Sequence, residues 1–185
     1  MVTPRIFPFW KVRVIVTTAF DPSGSSGELH RGIDLANYQD VVKNPPLYSM
    51  INGVVYDKFY SDSFGNTIIL KADNGMGFLY AHMMSESSLS IGNRVTPETI
   101  VGYVGTTGIS TGIHLHLEMQ DLTNHDWVYR APASYYINPA TFMGINNSVD
   151  GTIYYYEGGA PVPPLPPVSI PRNKKFPWAV IRRKY

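Results

Sequence analysis

The stretch Ile113-His114-Leu115-His116-Leu117-Glu118-Met119 decides how this chain folds and where its chemistry lies. If these residues form a strand, alternate side chains point to opposite faces of the sheet. His114 and His116 then share one face, and Leu115 and Leu117 enter a core on the other. Two neighbouring imidazoles are an awkward choice for packing. They suit a site that holds a metal and transfers protons beside it.

Two further groups of the same chemical type lie upstream. In the motif His30-Arg31-Gly32-Ile33-Asp34, an extended chain places the His and the Asp on one face. Gly32 lies between them on that face and leaves room for a metal ion. The third group is a single residue, His82, which follows the apolar run Thr67–Tyr80. The chain therefore offers three separated sources of metal-ligand and proton-transfer side chains.

The residue types favour zinc over a hard cation. Histidine and aspartate side chains suit zinc, whereas calcium requires more oxygen ligands than these motifs offer. The sequence contains no cysteine, which excludes disulfides and a thiolate zinc site.

In this order, the motif His-x-x-x-Asp, a lone His and the motif His-x-His resemble the lysostaphin/LytM-type zinc metallopeptidases, which cut peptide bonds in bacterial peptidoglycan. The blocks "HRGIDLA", "GNTIILKADNGMGFLYAHM" and "VGYVGTTGISTGIHLHLE" are similar to blocks of that family. The resemblance covers roughly Phe20 to Glu118. It implies one zinc ion per chain with His30, Asp34 and His116 as ligands. It also implies that His82 and His114 are the catalytic pair.

Peptide hydrolysis at such a site needs a base for the attacking water, a donor for the oxyanion and an acid for the leaving amine. His114 is the better candidate for activating the water, because it lies one pleat from His116. His82 would then lie near the oxyanion or orient the substrate, and the division of roles between the two remains open. Glu118 follows on the same face and could fix the tautomer of a neighbouring imidazole.

Short β-rich segments separated by turns predict an all-β fold, and no segment keeps a 3.6-residue apolar repeat long enough for a confident helix. Sixteen glycines and fifteen prolines agree with many turns. The pattern predicts an open sandwich or barrel, and the resemblance implies an antiparallel sheet whose zinc groove is walled by loops. The segment Asp121–Asn138 could overhang that groove. The predicted strands are Val12–Phe20, His30–Ala36, Leu47–Tyr60, Thr67–His82, Ile100–Val104, Ile113–Met119 and Thr152–Tyr156. Turns are predicted at Asn52-Gly53, Ser61–Asn66, Asp73–Gly77 and Ile91–Glu98, and a short helical turn at Pro139–Met143.

The C-terminal end differs from the rest of the chain. We expect a peptidase domain over residues 1–157, with its core at 12–145, and a Pro-rich basic extension over residues 158–185. That extension holds six of the fifteen basic residues and no acid, so the first 157 residues are net acidic. Its aromatic and basic residues could dock on a partner, contact an anionic wall polymer or remain disordered. A net acidic domain argues against nucleic-acid binding.

Three functions are compatible with these features. The first is a zinc endopeptidase that hydrolyses a cross-link or stem peptide of peptidoglycan. The second is a non-catalytic peptidoglycan-binding or amidase-activating module on the same fold. The third, compatible with the first, is a component of a phage tail or secretion machine that carries the peptidase. The resemblance implies action at the bacterial cell wall, extracellular or virion-associated. No signal peptide or transmembrane-length segment is visible, so we expect the protein to reach the wall by lysis, on a phage particle or after removal of a signal.

Overall fold

The computed structural model describes residues 1, 3, 5–38 and 42–158. The expected Pro-rich, basic extension lies outside the described residues apart from Gly158. Within them the chain forms ten strands and one short α-helix. The elements are β1 (Arg13–Thr18), β2 (Gly32–Asn37), β3 (Pro46–Tyr48), β4 (Gly53–Ser61), β5 (Gly65–Ala72), β6 (Met76–Met83), β7 (Arg94–Val95), β8 (Ile100–Tyr103), β9 (Leu115–Asp121), β10 (Tyr154–Tyr155) and α1 (Pro139–Met143).

Eight of the described strands form one sheet in the order β10-β1-β2-β9-β6-β5-β4-β7, and β3 pairs with β8 in a second, two-stranded sheet. Every named strand pair is antiparallel. The predicted all-β, antiparallel class is therefore confirmed. The strands β2, β9 and β6, which carry Asp34, His116 and His82, are adjacent at the centre of the large sheet.

Two details of the strand prediction differ from the structure. Leu47–Tyr60 divides into β3 and β4 at the predicted turn Asn52-Gly53, but the two strands belong to different sheets. Residues 91–98, expected to be only a turn, contain the edge strand β7, which pairs with the start of β4. Arg94 is held there by two hydrogen bonds to Asp73 at 2.7 and 3.0 Å. A two-residue strand depends on such long-range pairing and has no local signal in the sequence.

The large sheet has a core on one face and the histidines on the other. Leu115, Leu117 and Met119 of β9 are fully buried in the main core. The intervening residues of β9 face the opposite side, where a smaller apolar cluster packs. That cluster contains Ile69, Leu79, Ala81, Leu122 and Trp127. The alternation predicted for the His-x-His strand is thus observed.

The predicted helical turn at Pro139–Met143 is present as α1. The side chain of Asn138 caps its first turn, and Gly144 ends it in a left-handed conformation. Its buried residues pack against the main core on the side away from the histidines. None of the helices in the described part of the chain has the length and hydropathy needed to cross a membrane.

Candidate metal centre and proton-transfer site

The strand register brings the first and third sequence motifs together. Asp34 on β2 lies directly opposite His116 on β9, and Gly32 lies opposite Glu118. His116 is also paired on its other side with Ala81, the residue before His82 on β6. Side chains of directly opposed residues point to the same face. The register therefore places Asp34 and His116 on the face of the sheet that lies away from the main core. The side chains of His30, His82 and His114 approach these two residues there.

Three ligand atoms form a compact triangle. The Nε2 atom of His30 lies 3.1 Å from Oδ1 of Asp34 and 3.1 Å from Nδ1 of His116. Nδ1 of His116 lies 2.8 Å from the same Asp34 oxygen. The side chains are only 10 to 16% exposed, so the triangle is open to solvent on one side at most.

The hydrogen bonds outside the triangle define which nitrogens carry hydrogen. Nδ1 of His30 lies 2.8 Å from the carbonyl oxygen of Ala19, which can only accept. Nε2 of His116 lies 3.2 Å from the carboxylate of Glu118, which also accepts when ionised. Neutral imidazoles that donate outward direct their lone pairs inward. The inward nitrogens and the Asp34 oxygen are then three acceptors within hydrogen-bond distance of one another.

Three converging acceptors repel each other unless a proton or a cation lies between them. Ligands about 2.0 to 2.1 Å from a tetrahedral metal lie about 3.3 Å apart, close to the observed sides of the triangle. The three candidate ligand atoms belong to one group that could hold a metal ion. The donor set of two imidazoles and one carboxylate fits a divalent transition metal and leaves a coordination position open.

In the absence of a cation, a proton takes this place. Burial opposes charge on His116, but hydrogen bonds to Asp34 and Glu118 outweigh it and raise the pKa of His116 to about 9. Burial likewise opposes ionisation of Asp34, but its bonds to His116 and His30 hold its pKa well below the usual range. Metal binding would therefore displace a proton from His116.

His82 reaches this face through a break in the strand. Between the pairs Ile68–Tyr80 and Asn66–Met83 the register of β5 and β6 shifts, so two residues of β6 oppose one of β5. His82 adopts a left-handed backbone with φ of 58°, a conformation that is costly for a residue with a Cβ. This bulge turns the His82 ring to the same face as the Ala81 side chain and leaves the strained backbone at a predicted site residue.

The rings of His82 and His114 lie side by side above the triangle. Their centroids are 4.8 Å apart, and Nε2 of His114 lies 3.7 Å from the Asp34 carboxylate. Their Nδ1 atoms face carbonyl oxygens, His82 that of Thr107 and His114 that of Gly112, both at 2.8 Å. Both Nε2 atoms are therefore free to accept a proton. Burial lowers the pKa of His82 to about 4, so this ring is neutral at pH 7.

The segment that follows β9 covers part of this face, as expected for residues Asp121–Asn138. Trp127 is buried on the smaller apolar cluster, and Tyr129 is 44% exposed beside Phe59, with the two ring centroids 5.3 Å apart. Sequence reasoning missed the aromatic neighbours from β4 and the β4–β5 turn, including Phe64, whose ring lies 5.9 Å from that of His116. Only the pairing of β4 and β5 with β6 places them there.

Comparison with known proteins relates this chain to a peptidase family. The model of peptidase family M23 matches residues 28–128. The DD-carboxypeptidase/endopeptidase Mpg of Neisseria meningitidis is 40% identical over 90 residues, which cover 49% of this chain and 20% of that protein. Lysostaphin of Staphylococcus simulans is 28% identical over 98 residues, which cover 52% of this chain and 19% of that protein.

A solved structure shares the fold. It is a mutant of the catalytic domain of the prophage-encoded M23 protein EnpA from Enterococcus faecalis, with a TM-score of 0.57 and 24% identity. The match covers 74% of this chain and 97% of that domain. By contrast, the matched part of the chain spans about a fifth of the length of Mpg and lysostaphin.

Proposed function

Because this chain belongs to peptidase family M23, we propose that it is a zinc-dependent endopeptidase that hydrolyses peptide bonds in bacterial peptidoglycan. We assign one zinc ion per chain to His30, Asp34 and His116, and proton transfer to His82 and His114. The names of similar proteins, an endopeptidase and lysostaphin, support this substrate class. The bond would belong to a cross-link or a stem peptide at the cell wall.

One observation carries the proposal. Three acceptor atoms converge to within 3.1 Å of one another, and two further imidazoles present free Nε2 atoms above them. A site that only recognised peptidoglycan would have no need for two proton acceptors beside a cation site. The arrangement therefore favours hydrolysis over the alternative, a non-catalytic wall-binding or amidase-activating module.

When bound, the zinc ion would supply a water of lowered pKa and polarise the carbonyl of the scissile bond. Nε2 of His114 accepts the proton of the attacking water, since its Nδ1 already donates to the Gly112 carbonyl. The imidazolium so formed can return this proton to the leaving amine. Asp34, 3.7 Å from Nε2 of His114, stabilises that positive charge.

His82 has a related but separate role. Its ring is neutral at pH 7 and its Nδ1 donates to the Thr107 carbonyl. Its Nε2 atom can therefore accept a hydrogen bond from the attacking water, and this bond would orient the water towards the carbonyl carbon. The bulge that holds His82 fixes this direction.

The test is mass spectrometry of glycine-bridged and directly cross-linked peptidoglycan after incubation with the protein, with and without a zinc chelator. We expect new peptide termini that disappear with the chelator, and their identity would name the bond. His114→Ala should abolish cleavage while retaining zinc. If neither wall type is cleaved although zinc is bound, the binding or activating function replaces the enzymatic one.

We also propose a route by which the enzyme reaches the wall: it is a component of a phage tail or of a secretion machine. Detection of the protein in purified particles by peptide mass spectrometry would support it. The expected C-terminal extension, residues 158–185, would be the attachment segment or the contact with an anionic wall polymer. Removing it should then abolish retention on particles or on walls without changing the cleavage of soluble peptides.

A further inference from the structure

We propose that the buried carboxylate of Glu118 is a positioning residue that fixes the ring orientation and tautomer of His116 and so sets the metal affinity of the site. This inference rests on the proposed metal centre and goes beyond it, because Glu118 is neither a metal ligand nor a proton-transfer residue there. The role is carried by contacts on the side of His116 that faces away from the metal triangle.

Glu118 is unusual in being an acidic side chain that is almost completely buried. The residue is 3% exposed, and its Oε1 atom lies 3.2 Å from Nε2 of His116. A carboxylate is costly to bury unless a partner compensates for the lost hydration. Among the described ion pairs of Glu118 with basic side chains, the partner is His116. The contact with His116 therefore offsets part of the cost of burying this carboxylate.

That contact decides which nitrogen of His116 is available to a metal. With Glu118 accepting from Nε2–H, the lone pair is on Nδ1, 2.8 Å from Asp34 and 3.1 Å from Nε2 of His30. Without the acceptor, the neutral ring can place its hydrogen on Nδ1, where it would donate to Asp34. That tautomer cannot bind a metal through Nδ1. A carboxylate partner also makes the imidazole a stronger donor to the metal.

Gln120 offers a matched control on the same strand and face. It is 0% exposed, and its amide bonds the backbone of Val128, accepting at 3.1 Å and donating at 2.8 Å. It contacts no candidate ligand in these bonds. Glu118 and Gln120 are two positions apart, and replacing either one removes a buried polar group. Only the change at Glu118 removes a bond to a ligand imidazole.

The experiment measures zinc dissociation constants by competition with a chromophoric chelator for the full chain and for Glu118→Gln, Glu118→Leu and Gln120→Leu. The unfolding free energy of each metal-free protein is measured in parallel. We expect Glu118→Gln to weaken zinc binding about tenfold, because the amide oxygen still accepts but carries no charge. Glu118→Leu should weaken it about a hundredfold. Gln120→Leu should lose stability with an unchanged dissociation constant.

Two results would overturn the inference. One is equal zinc affinity in all four proteins. The other is an affinity that falls in proportion to lost stability, with Gln120→Leu as impaired as Glu118→Leu, which would make Glu118 a general core residue. Failure of the proposed function is a separate result. In that case the order of zinc affinities holds, but the parent protein releases no peptides from either wall type.

Discussion

The imidazole of His116 occupies the space that a side chain on Gly32 would need. A Cβ atom built on Gly32 would lie 2.7 Å from Cε1 and 2.8 Å from Nε2 of this ring. The two residues are on adjacent strands, and Gly32 does not have the positive φ that would itself favour glycine. The glycine is therefore required for space, because the ring must lean over β2 to reach Asp34 and His30.

We predict that Gly32→Ala weakens zinc binding at least tenfold and destabilises the protein by about 1 to 3 kcal/mol, the usual cost of forcing an extra group into a packed site. The backbone oxygen of Leu117 would lie 2.5 Å from the new Cβ, so the methyl group fits only if the backbone of β2 or β9 moves. Chelator competition and urea unfolding measure the two effects. Gly112→Ala, whose Cβ would meet nothing within 4 Å, should be within about 0.5 kcal/mol of the parent. An unchanged zinc affinity in Gly32→Ala would contradict the steric explanation.

A second prediction concerns the strained backbone at His82. Both His82→Gly and His82→Ala remove the ring and should abolish cleavage. The φ of 58° is free for glycine and strained for alanine, so His82→Gly should be the more stable of the two by about 1 kcal/mol. At the preceding residue the usual order should hold, with Ala81 more stable than Ala81→Gly. Thermal unfolding of the metal-free proteins compares alanine with glycine at each of the two positions. If alanine is the more stable residue at position 82 as well as at position 81, the backbone of His82 is not strained.

The histidine motifs predicted most of the site because they obey strand periodicity. His114 and His116 are two residues apart, as are Gly32 and Asp34, so each pair had to share a face once its strand was assumed. The prediction that Glu118 reaches an imidazole followed from the same rule and is confirmed by its bond to His116.

Other features had no such signal. Alternation predicts that the side chains of His82 and Ala81 point to opposite faces, and the bulge that reverses this depends on the register with β5. Phe64 approaches His116 from the β4–β5 turn, and Phe59 on β4 contacts Tyr129 of the segment that follows β9. Strand β7 depends on pairing with β4. These are non-local contacts, and local propensity does not encode them.

A third prediction follows from the raised pKa of His116. In the metal-free protein its protonated form is stabilised by folding, so this stability is fully present below pH 6.5 and is lost as the pH rises through about 9. The loss should be on the order of 3 kcal/mol. Asp34, whose pKa is lowered, stays ionised throughout this window and contributes no change.

At a saturating free zinc concentration this pH dependence should disappear. The metal replaces the His116 proton in the folded protein, and the unfolded chain does not bind that proton above about pH 6.5, so stability should stay nearly constant between pH 6.5 and 9. Urea unfolding at several pH values, with chelator and with zinc, measures both slopes. In the His116→Asn variant with chelator, the unfolding free energy should no longer fall between pH 6.5 and 9. Parallel slopes with and without zinc would contradict the assignment of His116 as a ligand.

The last prediction concerns two Tyr–Asp hydrogen bonds, together called the clasp, that join β4 to the segment after β9. Tyr56 on β4 donates to Asp126 at 2.8 Å, and Tyr129 donates back to Asp57 on β4 at 3.3 Å. Burial and the bond to Asp126 raise the pKa of Tyr56 to about 12, and the pKa of Tyr129 is raised as well, so both hydroxyls remain donors beyond pH 10. The clasp holds the covering segment over the site face.

We therefore expect Tyr56→Phe and Tyr129→Phe each to cost about 1 kcal/mol and to speed hydrogen exchange in residues 122–131, while exchange in β9 stays slow. Tyr60→Phe, on the same strand but 62% exposed, is the control and should change neither quantity. Because the segment walls the site, the loosened variants should show a raised KM on cross-linked substrate with a nearly unchanged kcat. Equal exchange rates in all three variants would mean that the buried Trp127, and not the two Tyr–Asp bonds, holds the segment in place.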